Sequence, residues 1–526
     1  MALSYRRWVY QNVLREEPGP ILSESILQRI WFESLFQNPL TTLQGELVTL
    51  HHPGFWNHRP GPDFLRASFL TPDGRTHAGD VEIHRHSSDW EAHGHGSDPA
   101  YRQVILHVFW QADPSLTETP PTSIRQIALA HQLAAPLTEL ISLFRATPAE
   151  IAGGEKAGLC HTSLLSLQPE KLREILEEAG SHRLRQRRAL ATARTSAHGL
   201  DQAVWIALAE GLGFSENREP FTSLARAVPV QLLSRMPDPA CRASLLYGVA
   251  GLLPDPTTRS VSPRAQPILK ELWNHWWKAR HSWTDRILPP TLWKMGSTRP
   301  NNSPFRRIAA LATLSDPHTW PELVDSVHRA QSARFLEILK SASHPFWDHH
   351  AGWDGRLLPS RSRLIGLDRA HALLFQVLAP FADCDELTLH NTIATWPTGG
   401  DAGLIRSACL RLFGLPFAPA ELRSHLAREG LLQIYKDFCR SNADACQSCS
   451  MPDFLKQRNR PPEAKSPTPA TLSPQSAHNL PNPVNRSATT HPALPKTPPE
   501  TSPFLKVAPV GPPPLAHRRN PHPPDR

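Results

Sequence analysis

The hydrophobic pattern of the chain changes its period near residue 135. Before that point, short runs alternate apolar and polar residues and end at turn signals such as Pro53-Gly54 and Pro72-Asp73-Gly74, which is typical of β-strands. After it, apolar residues recur with the spacing of amphipathic helices. The two periods predict an N-terminal α/β (α+β) domain with a mixed sheet over residues 1–134, followed by a mostly α-helical region over residues 135–452.

The first part of the chain is predicted to contain one helix and four strands. Residues 22–36 place Ile26 and Ile30 on one face of a helix, behind a capping Ser23. The predicted strands are Glu46–His51, Phe64–Leu70, Asp80–His86 and Val104–Trp110, with a short helical connection before the last. In the second part, the predicted helices are Pro169–Thr195, Asp201–Leu212, Val230–Leu253, Pro321–Ser341, Leu367–Phe381 and Asp401–Phe413.

Residues 453–526 are predicted to be a disordered, basic, proline-rich tail. Nineteen prolines fall within residues 461–526, and such a composition cannot bury enough apolar surface to offset the entropy of ordering. The tail also carries most of the net charge of +8, so the remainder is close to neutral. The basic pI therefore says little about what the folded part binds.

The bulk composition favours a cytoplasmic protein. No apolar run reaches the length of a membrane-spanning helix, which argues against a membrane partner. The first residues lack the apolar core of a signal peptide. Four of the seven cysteines are scattered singly, unlike the framework expected of a disulfide-rich secreted chain.

The most unusual residues lie between positions 61 and 107. In the strand predicted over 80–86, apolar residues alternate with Asp80, Glu82 and His84, which therefore share one face. Three ionisable groups on one strand face inside a domain need hydrogen-bond partners, a metal ion or water. A surface strand could solvate them, but Lys, Thr and Arg would then be expected among them. The concentration of acids and histidines favours a functional site.

This arrangement resembles the core of the PD-(D/E)XK nuclease superfamily. In that core an Asp opens the second strand, an acid-x-Lys triplet lies on the third, and a helix and another strand follow. Pro62-Asp63 and Glu82-Ile83-His84 match the two motifs, with His84 in place of the Lys. The resemblance implies that Asp63, Glu82 and His84 are catalytic, and that Asp63 and Glu82, with a carbonyl near Ile83, bind Mg²⁺. Histidine can deprotonate the attacking water, but the exchange also suits an inactive or repurposed site.

Longer motifs resemble one bacterial family. They are Gly-Pro-Asp-Phe, Gly-Asp-Val-Glu-Ile-His, Ser-Asp-Trp-x-x-His-x-His, Asp-x-x-Tyr-x-x-Val-Ile-Leu-His-Val and Arg-Pro-Asn-Asn, followed by the late cysteines. Over about residues 5–452 the chain is identified as a member of domain-of-unknown-function family 2851. This resemblance implies no activity, so the functional hypotheses depend on the residues themselves.

A zinc hydrolase is an alternative metal enzyme. His84, His86, His93, His95 and His107 fall within 24 residues, and zinc takes three or four such ligands. Because the chain has 27 histidines, some clustering is expected, and paired histidines are often structural. A further alternative is a non-catalytic interaction or scaffold protein in which the polar strand face is a structural network.

Cys439, Cys446 and Cys449 form a second candidate site. Cys446 and Cys449 have the C-x-x-C spacing of metal ligands, and Cys439 adds a third sulfur. The three predict a zinc site or an iron–sulfur cluster, completed by Cys409, Cys384 or a histidine. Three ordinary thiols at a helix end are the alternative.

Arg299, Arg306 and Arg307 mark a basic junction between a loop and a helix. A helix N-terminus with guanidinium groups can bind phosphate, so these residues are candidate nucleic-acid contacts, although solvated arginines would give the same pattern. The leading hypothesis is a metal-dependent nuclease, specifically a Mg²⁺-dependent phosphodiesterase, or a nucleic-acid-binding relative of one.

Overall fold

The alternating runs in the first part of the chain form a mixed sheet in the computed structural model. Its seven strands, within the described residues, are β1 Leu40–Thr41, β2 Leu47–His52, β3 Phe55–Trp56, β4 Phe64–Leu70, β5 Thr76–His86, β6 Val104–Gln111 and β7 Arg125–Ala128. The order is β1-β2-β4-β5-β6-β7, with β3 beside β4. Strands β1 to β5 pair antiparallel, whereas β5, β6 and β7 run parallel. The predicted mixed sheet is therefore confirmed.

The structure describes residues 4–9, 22–113, 124–144, 157–214, 216–258, 260–295, 300–398, 403–415, 420–439, 446–447 and 449–459. The region after the sheet is mostly helical, as predicted. The helices are α1 Tyr5–Trp8, α2 Glu24–Glu33, α3 Asp89–Ala92, α4 Leu137–Phe144, α5 His161–Leu165, α6 Pro169–His198, α7 Leu200–Leu212, α8 Arg218–Ala227, α9 Val230–Leu233, α10 Pro239–Val249, α11 Gln266–Ala279, α12 Pro304–Leu314, α13 Thr319–His328, α14 Ser332–Ser341, α15 Leu367–Leu373, α16 Ala379–Phe381, α17 Glu386–Ala394, α18 Gly403–Phe413, α19 His425–Ile434 and α20 Met451–Asn459. None of the described helices combines the length and apolar character needed to cross a bilayer.

Helix α2 covers one face of the sheet. Its residues Ile30 and Trp31 are fully buried and belong to the same apolar core as Val81 and Ile83 of β5. Ala193, from α6, packs into this core as well. The sheet and the helical region therefore share packing across the predicted boundary near residue 134, and both belong to one compact unit, Met1–Pro462.

A buried ion-pair network joins α2 to the helical region. Glu33, at the end of α2, is fully buried, and its Oε2 accepts hydrogen bonds from Arg194 Nη2 at 2.9 Å and Arg226 Nη2 at 2.7 Å. Arg29 also lies 3.1 Å from Glu33 Oε1. Arg194 has a second partner, Glu210, at 2.7 Å. Removing the charge of Glu33 would leave the buried side chain of Arg226 without its partner.

Helices α6 and α19 cross with their backbones in direct contact. A Cβ atom added to Gly430 would lie 1.7 Å from the Leu176 carbonyl oxygen, and one added to Gly180 would lie 2.1 Å from the Leu426 carbonyl oxygen. Since a backbone carbonyl cannot move aside as a flexible side chain can, only glycine fits at these two positions.

Two predicted helices are wrong, because each is divided in the structure. The predicted Val230–Leu253 splits into α9 and α10, where Asp238, held extended before Pro239, caps α10 by accepting from Ala240 N–H at 2.9 Å. The predicted Pro321–Ser341 splits into α13 and α14 around Ala330, whose φ is +55°.

The disordered tail was predicted to begin at residue 453, which is too early in the chain. Helix α20 continues to Asn459, and its Phe454 is fully buried in a core with α6 and α19. Arg458 is also buried, and its Nη2 lies 2.9 Å from carboxylate oxygens of both Glu174 and Glu178. The rest of the predicted disordered tail lies outside the described residues.

Candidate functional site

The polar face of β5 is buried. Glu82 is 6% exposed and His84 is 1% exposed. The segment that joins β5 to β6 folds over them, and the ring of Trp90 in α3 lies 5.2 Å from the His107 ring. Asp80 is set apart, because its carboxylate accepts from the Arg66 N–H at 3.0 Å. The burial of Glu82 and His84 excludes the solvated-strand interpretation.

Asp63 and Glu82 are tied together through the main chain. The Asp63 N–H donates to Glu82 Oε2 at 3.1 Å, and the Ile83 N–H donates to Asp63 Oδ2 at 3.0 Å. The last residue pair between β4 and β5 is Phe64 with Val81. Beyond this pair, the N–H groups of Asp63 and Ile83 donate to carboxylates instead of to the neighbouring strand. The N–H and C=O of one strand residue point to the same side of the strand, so the Ile83 carbonyl points to the side on which its N–H bonds to Asp63.

Several imidazoles gather at the other oxygen of Glu82. His84 Nε2 and His95 Nε2 each lie 3.4 Å from Glu82 Oε1, and His93 Nδ1 lies 3.2 Å from His84 Nε2. The ligand atoms of His84, His93 and His95 all lie within 4.8 Å of one another. The structure thus brings together three of the five histidines in the zinc hypothesis.

The remaining two histidines of that hypothesis have different places. Parallel pairing of β5 with β6 sets His107 opposite Glu82, and its Nε2 lies 3.0 Å from His84 Nδ1. This contact orients the His84 ring and turns Nε2 toward Glu82, as partners behind metal-binding histidines do. His86 is exposed and lies outside the cluster.

Burial keeps the cluster close to neutral. It raises the pKa of Asp63 to about 7, and the charge of Glu24 adds to the effect. Burial, followed by the charge of Asp63, raises the pKa of Glu82 to about 8. The same burial, together with the neighbouring imidazoles, lowers the pKa of His84 to about 4 and that of His107 to about 3. Neutral imidazole is the form that binds metal ions.

Helix α2 and the β5–β6 connection contribute residues that the sequence analysis did not assign to the site. Gln28 Nε2 donates to Asp63 Oδ1 at 2.7 Å, and Glu24 lies near enough for its charge to act on Asp63 and Glu82. The Tyr101 ring stacks on His95 with 3.8 Å between centroids. The only sequence signal was the spacing of Glu24 and Gln28, which places both on one helix face.

The predicted cysteine site acquires a different neighbour. A Cβ added to Gly158, two residues before Cys160, would lie 3.5 Å from Cys446 Sγ, and Cys449 packs against the core in which Cys160 is buried. Cys160 was not among the predicted ligands. Cys384, one of the predicted fourth ligands, packs against the separate core of the central helices, whereas Cys409 is buried in the same core as Cys160.

The predicted phosphate-binding arginines are internal. Arg306 is fully buried and Arg307 is 3% exposed. Their guanidinium groups donate to main-chain carbonyls, those of Trp347, Ser362 and Arg363 for Arg306 and that of Leu364 for Arg307. Because both guanidinium groups are buried within the helical region, the structure corrects the expectation that they bind phosphate there. Arg299 lies outside the described residues.

The chain matches the family described as "Protein of unknown function (DUF2851)" over residues 24–394. The match includes the sheet and the acid and histidine cluster, and it ends before Cys439. No curated protein and no solved structure matches the chain. Since the family match extends over well more than half of the 526 residues, the protein belongs to the DUF2851 family.

Proposed function

We propose that this protein is a metal-dependent phosphodiesterase of the nuclease type, with Asp63, Glu82 and His84 at its centre. The observation that carries the proposal is that the buried carboxyl group of Glu82 and the half-buried one of Asp63 lie together without a cationic partner among the described residues. Within the described part of the chain, neither carboxylate forms an ion pair with Lys or Arg. Arg59 and Arg85, which lie close to the two acids in sequence, are both exposed.

A bound cation would offset the cost of this arrangement. Two buried carboxylates repel each other when both are ionised, and a divalent ion between them reverses that repulsion. Oxygen ligands from Asp63, Glu82 and the Ile83 carbonyl suit Mg²⁺ or Mn²⁺. When bound, such an ion activates water and neutralises charge on a scissile phosphate. The order of elements, with a helix, antiparallel strands, a short connection and a parallel strand, agrees with the nuclease core that the motifs resemble.

His84 is placed to handle a proton in this site. Its Nε2 lies 3.4 Å from Glu82 Oε1 while Nδ1 contacts His107. With its pKa lowered to about 4 by burial and the neighbouring imidazoles, the ring is neutral at pH 7 and can accept a proton from water. We assign His84 the role of general base in place of the lysine of related motifs.

The imidazole cluster favours zinc as the second candidate metal. Four donor atoms, from Glu82, His84, His93 and His95, are separated by 3.2–3.4 Å along the contacts that link them. A tetrahedral zinc ion with Zn–N of about 2.0–2.1 Å requires about 3.3 Å between neighbouring ligands. In addition, His95 Nε2 is buried without a hydrogen-bond partner among the described residues. These observations support a zinc hydrolase that uses the same Glu82.

The test measures metal content and cleavage together. Protein treated with a chelator is resupplied with Mg²⁺, Mn²⁺ or Zn²⁺ and incubated with plasmid and single-stranded DNA or RNA. The Glu82→Gln change should reduce cleavage by about 100-fold or more, because it removes a ligand charge while keeping the shape. The matched control is Glu91→Gln, which changes an exposed glutamate of α3 and should leave cleavage unchanged.

A further variant separates the two metals. His95→Ala should abolish stoichiometric zinc binding and zinc-dependent cleavage, but it should leave Mg²⁺-dependent cleavage largely intact. If the parent protein cleaves no phosphodiester with any of the three metals, and Glu82→Gln lowers the melting temperature, the enzyme proposal is wrong. That result would favour a scaffold in which Glu82 is structural.

A further inference from the structure

Four cysteines from two distant parts of the chain lie near one another in the helical region. Cys160 lies immediately before α5, and Cys439 ends the π-helical turn that continues α19. Cys446 and Cys449 precede α20. None of these residues belongs to the acid and histidine cluster, so this inference is independent of the proposed function.

The main chain holds Cys446 close to the Cys160 segment. The Gly158 N–H donates to the Arg411 carbonyl at 2.7 Å, and a Cβ added to Gly158 would lie 3.5 Å from Cys446 Sγ. Arg411 also reaches the sulfur itself, because its Nη2 donates to Cys446 Sγ at 3.0 Å. This guanidinium group therefore holds the Cys446 sulfur beside the segment that leads into Cys160.

The other two sulfurs pack against the same core as Cys160. Cys439 and Cys449 are half-buried and contact the apolar cluster in which Cys160 is buried. Burial raises the pKa of Cys160 to about 11, with the sulfurs of Cys449 and Cys446 as the next causes. Burial also raises the pKa of Cys439, followed by the sulfurs of Cys160, Cys449 and Cys446. The half-buried thiols of Cys439 and Cys449 thus lie against the core that buries Cys160.

We propose that Cys160, Cys439, Cys446 and Cys449 form a four-thiolate metal centre. Four thiolates are the ligand set of both structural zinc and iron–sulfur clusters. Around one zinc ion, Zn–S bonds of about 2.3 Å place sulfurs about 3.8 Å apart. Within the described residues, no three of these sulfurs lie within 4.8 Å of one another. The wider spacing favours an iron–sulfur cluster as the occupant.

Such a centre would fasten the C-terminal helix to the body of the protein. Its ligands come from segments nearly 300 residues apart in sequence, and a metal bond between them closes a long loop of the unfolded chain. Cys160 is the decisive residue, since it is distant in sequence from the C-x-x-C pair and reaches the site only through the fold.

The test uses full-length protein purified without oxygen. Iron, acid-labile sulfide and zinc are quantified, and visible absorption reports an iron–sulfur cluster. We expect one centre per chain in the parent and in His84→Ala, which disables the imidazole cluster. Cys160→Ser and Cys449→Ser should lose most of this metal, whereas the control Cys384→Ser should retain it. Iron with sulfide identifies a cluster, and zinc alone identifies a mononuclear site.

Alkylation of the parent protein provides a readout that does not depend on whether the variants fold. The four thiols should resist alkylation under native conditions until a chelator or an oxidant removes the metal, while Cys384 reacts at the same rate before and after. The proposal is overturned if the parent holds neither iron nor zinc beyond the imidazole site, if Cys160→Ser keeps its full metal content, or if removing metal leaves the alkylation of all four thiols unchanged.

Discussion

Replacing Glu33 with Gln should destabilise the whole protein, because it breaks the buried ion-pair network between α2 and the helical region. Glu33 is fully buried, and removing one member of a buried ion pair typically costs about 3–5 kcal/mol. Arg194 would retain Glu210 at 2.7 Å, and the Arg29 side chain is 25% exposed and can be hydrated. Arg226 has no such relief, because its Nε and Nη1 already lack partners among the described residues. We therefore expect a loss of about 3 kcal/mol.

Urea unfolding of the parent and variant, measured side by side, tests this value. The control is Glu322→Gln, which removes a half-exposed pair with Arg334 and should cost under about 1 kcal/mol. Adding Arg226→Met to Glu33→Gln should recover part of the loss, since it removes the stranded charge. A loss below about 1 kcal/mol for Glu33→Gln, or a further loss in the double variant, would refute the assignment of this network as a buried junction.

Three further predictions concern stability. Truncation just before Arg458 should lower the free energy of unfolding by about 1–3 kcal/mol, because it removes a buried guanidinium that pairs with two glutamates of α6. Truncation after residue 462 is the control, and an unchanged melting temperature for the shorter chain would contradict the prediction. Gly430→Ala should sharply reduce the yield of folded protein, whereas the control Gly366→Ala, which has open space around it, should not. If circular dichroism shows the same melting curve for both variants, the close crossing of α6 and α19 is contradicted. Burial lowers the pKa of both His52 and His182 to about 4. Below pH 6.5 the unfolded state therefore binds more protons than the folded state. The stability present above pH 6.5 should fall by up to about 3 kcal/mol per residue as the pH drops to 4. Urea midpoints across this pH range, compared with those of His52→Gln, measure that slope, and a flat profile would contradict it.

Local patterns in the sequence were sufficient to predict much of the sheet. The bounds predicted for Phe64–Leu70 are confirmed, because a proline and glycine turn ends that strand. The irregular pairing around Arg66, whose φ is +61°, does not change those bounds. The shared face of Glu82 and His84 also followed from the two-residue period of a strand. The division of two predicted helices was missed, since apolar spacing continues across Asp238-Pro239 and Ala330 while the backbone does not.

The full set of residues in each site was harder to predict from the sequence, because it depends on contacts between distant segments. Glu24 and Gln28 reach Asp63 only after α2 packs on the sheet. In the same way, the place of Cys160 beside Cys446 depends on how α5, α18 and the C-terminal segment pack. The spacing of Glu24 and Gln28 indicates only that they share a helix face, not that this face meets Asp63, and nothing in residue spacing relates Cys160 to Cys446. A single sequence therefore supplied the acids and the late cysteines but not their neighbours.

The burial of arginine inside this fold changes how its affinity for a polyanion would depend on salt. Counterions are released from nucleic acid only where a protein cation contacts phosphate, and each contact steepens the fall of affinity with ionic strength. Arg194, Arg242, Arg306, Arg307 and Arg458 are each less than 7% exposed. These five cations count toward the net charge of +8 but cannot touch a phosphate group. A titration against salt should therefore give a slope set by exposed residues such as Arg59 and Arg85, and much shallower than the arginine content of the chain would suggest.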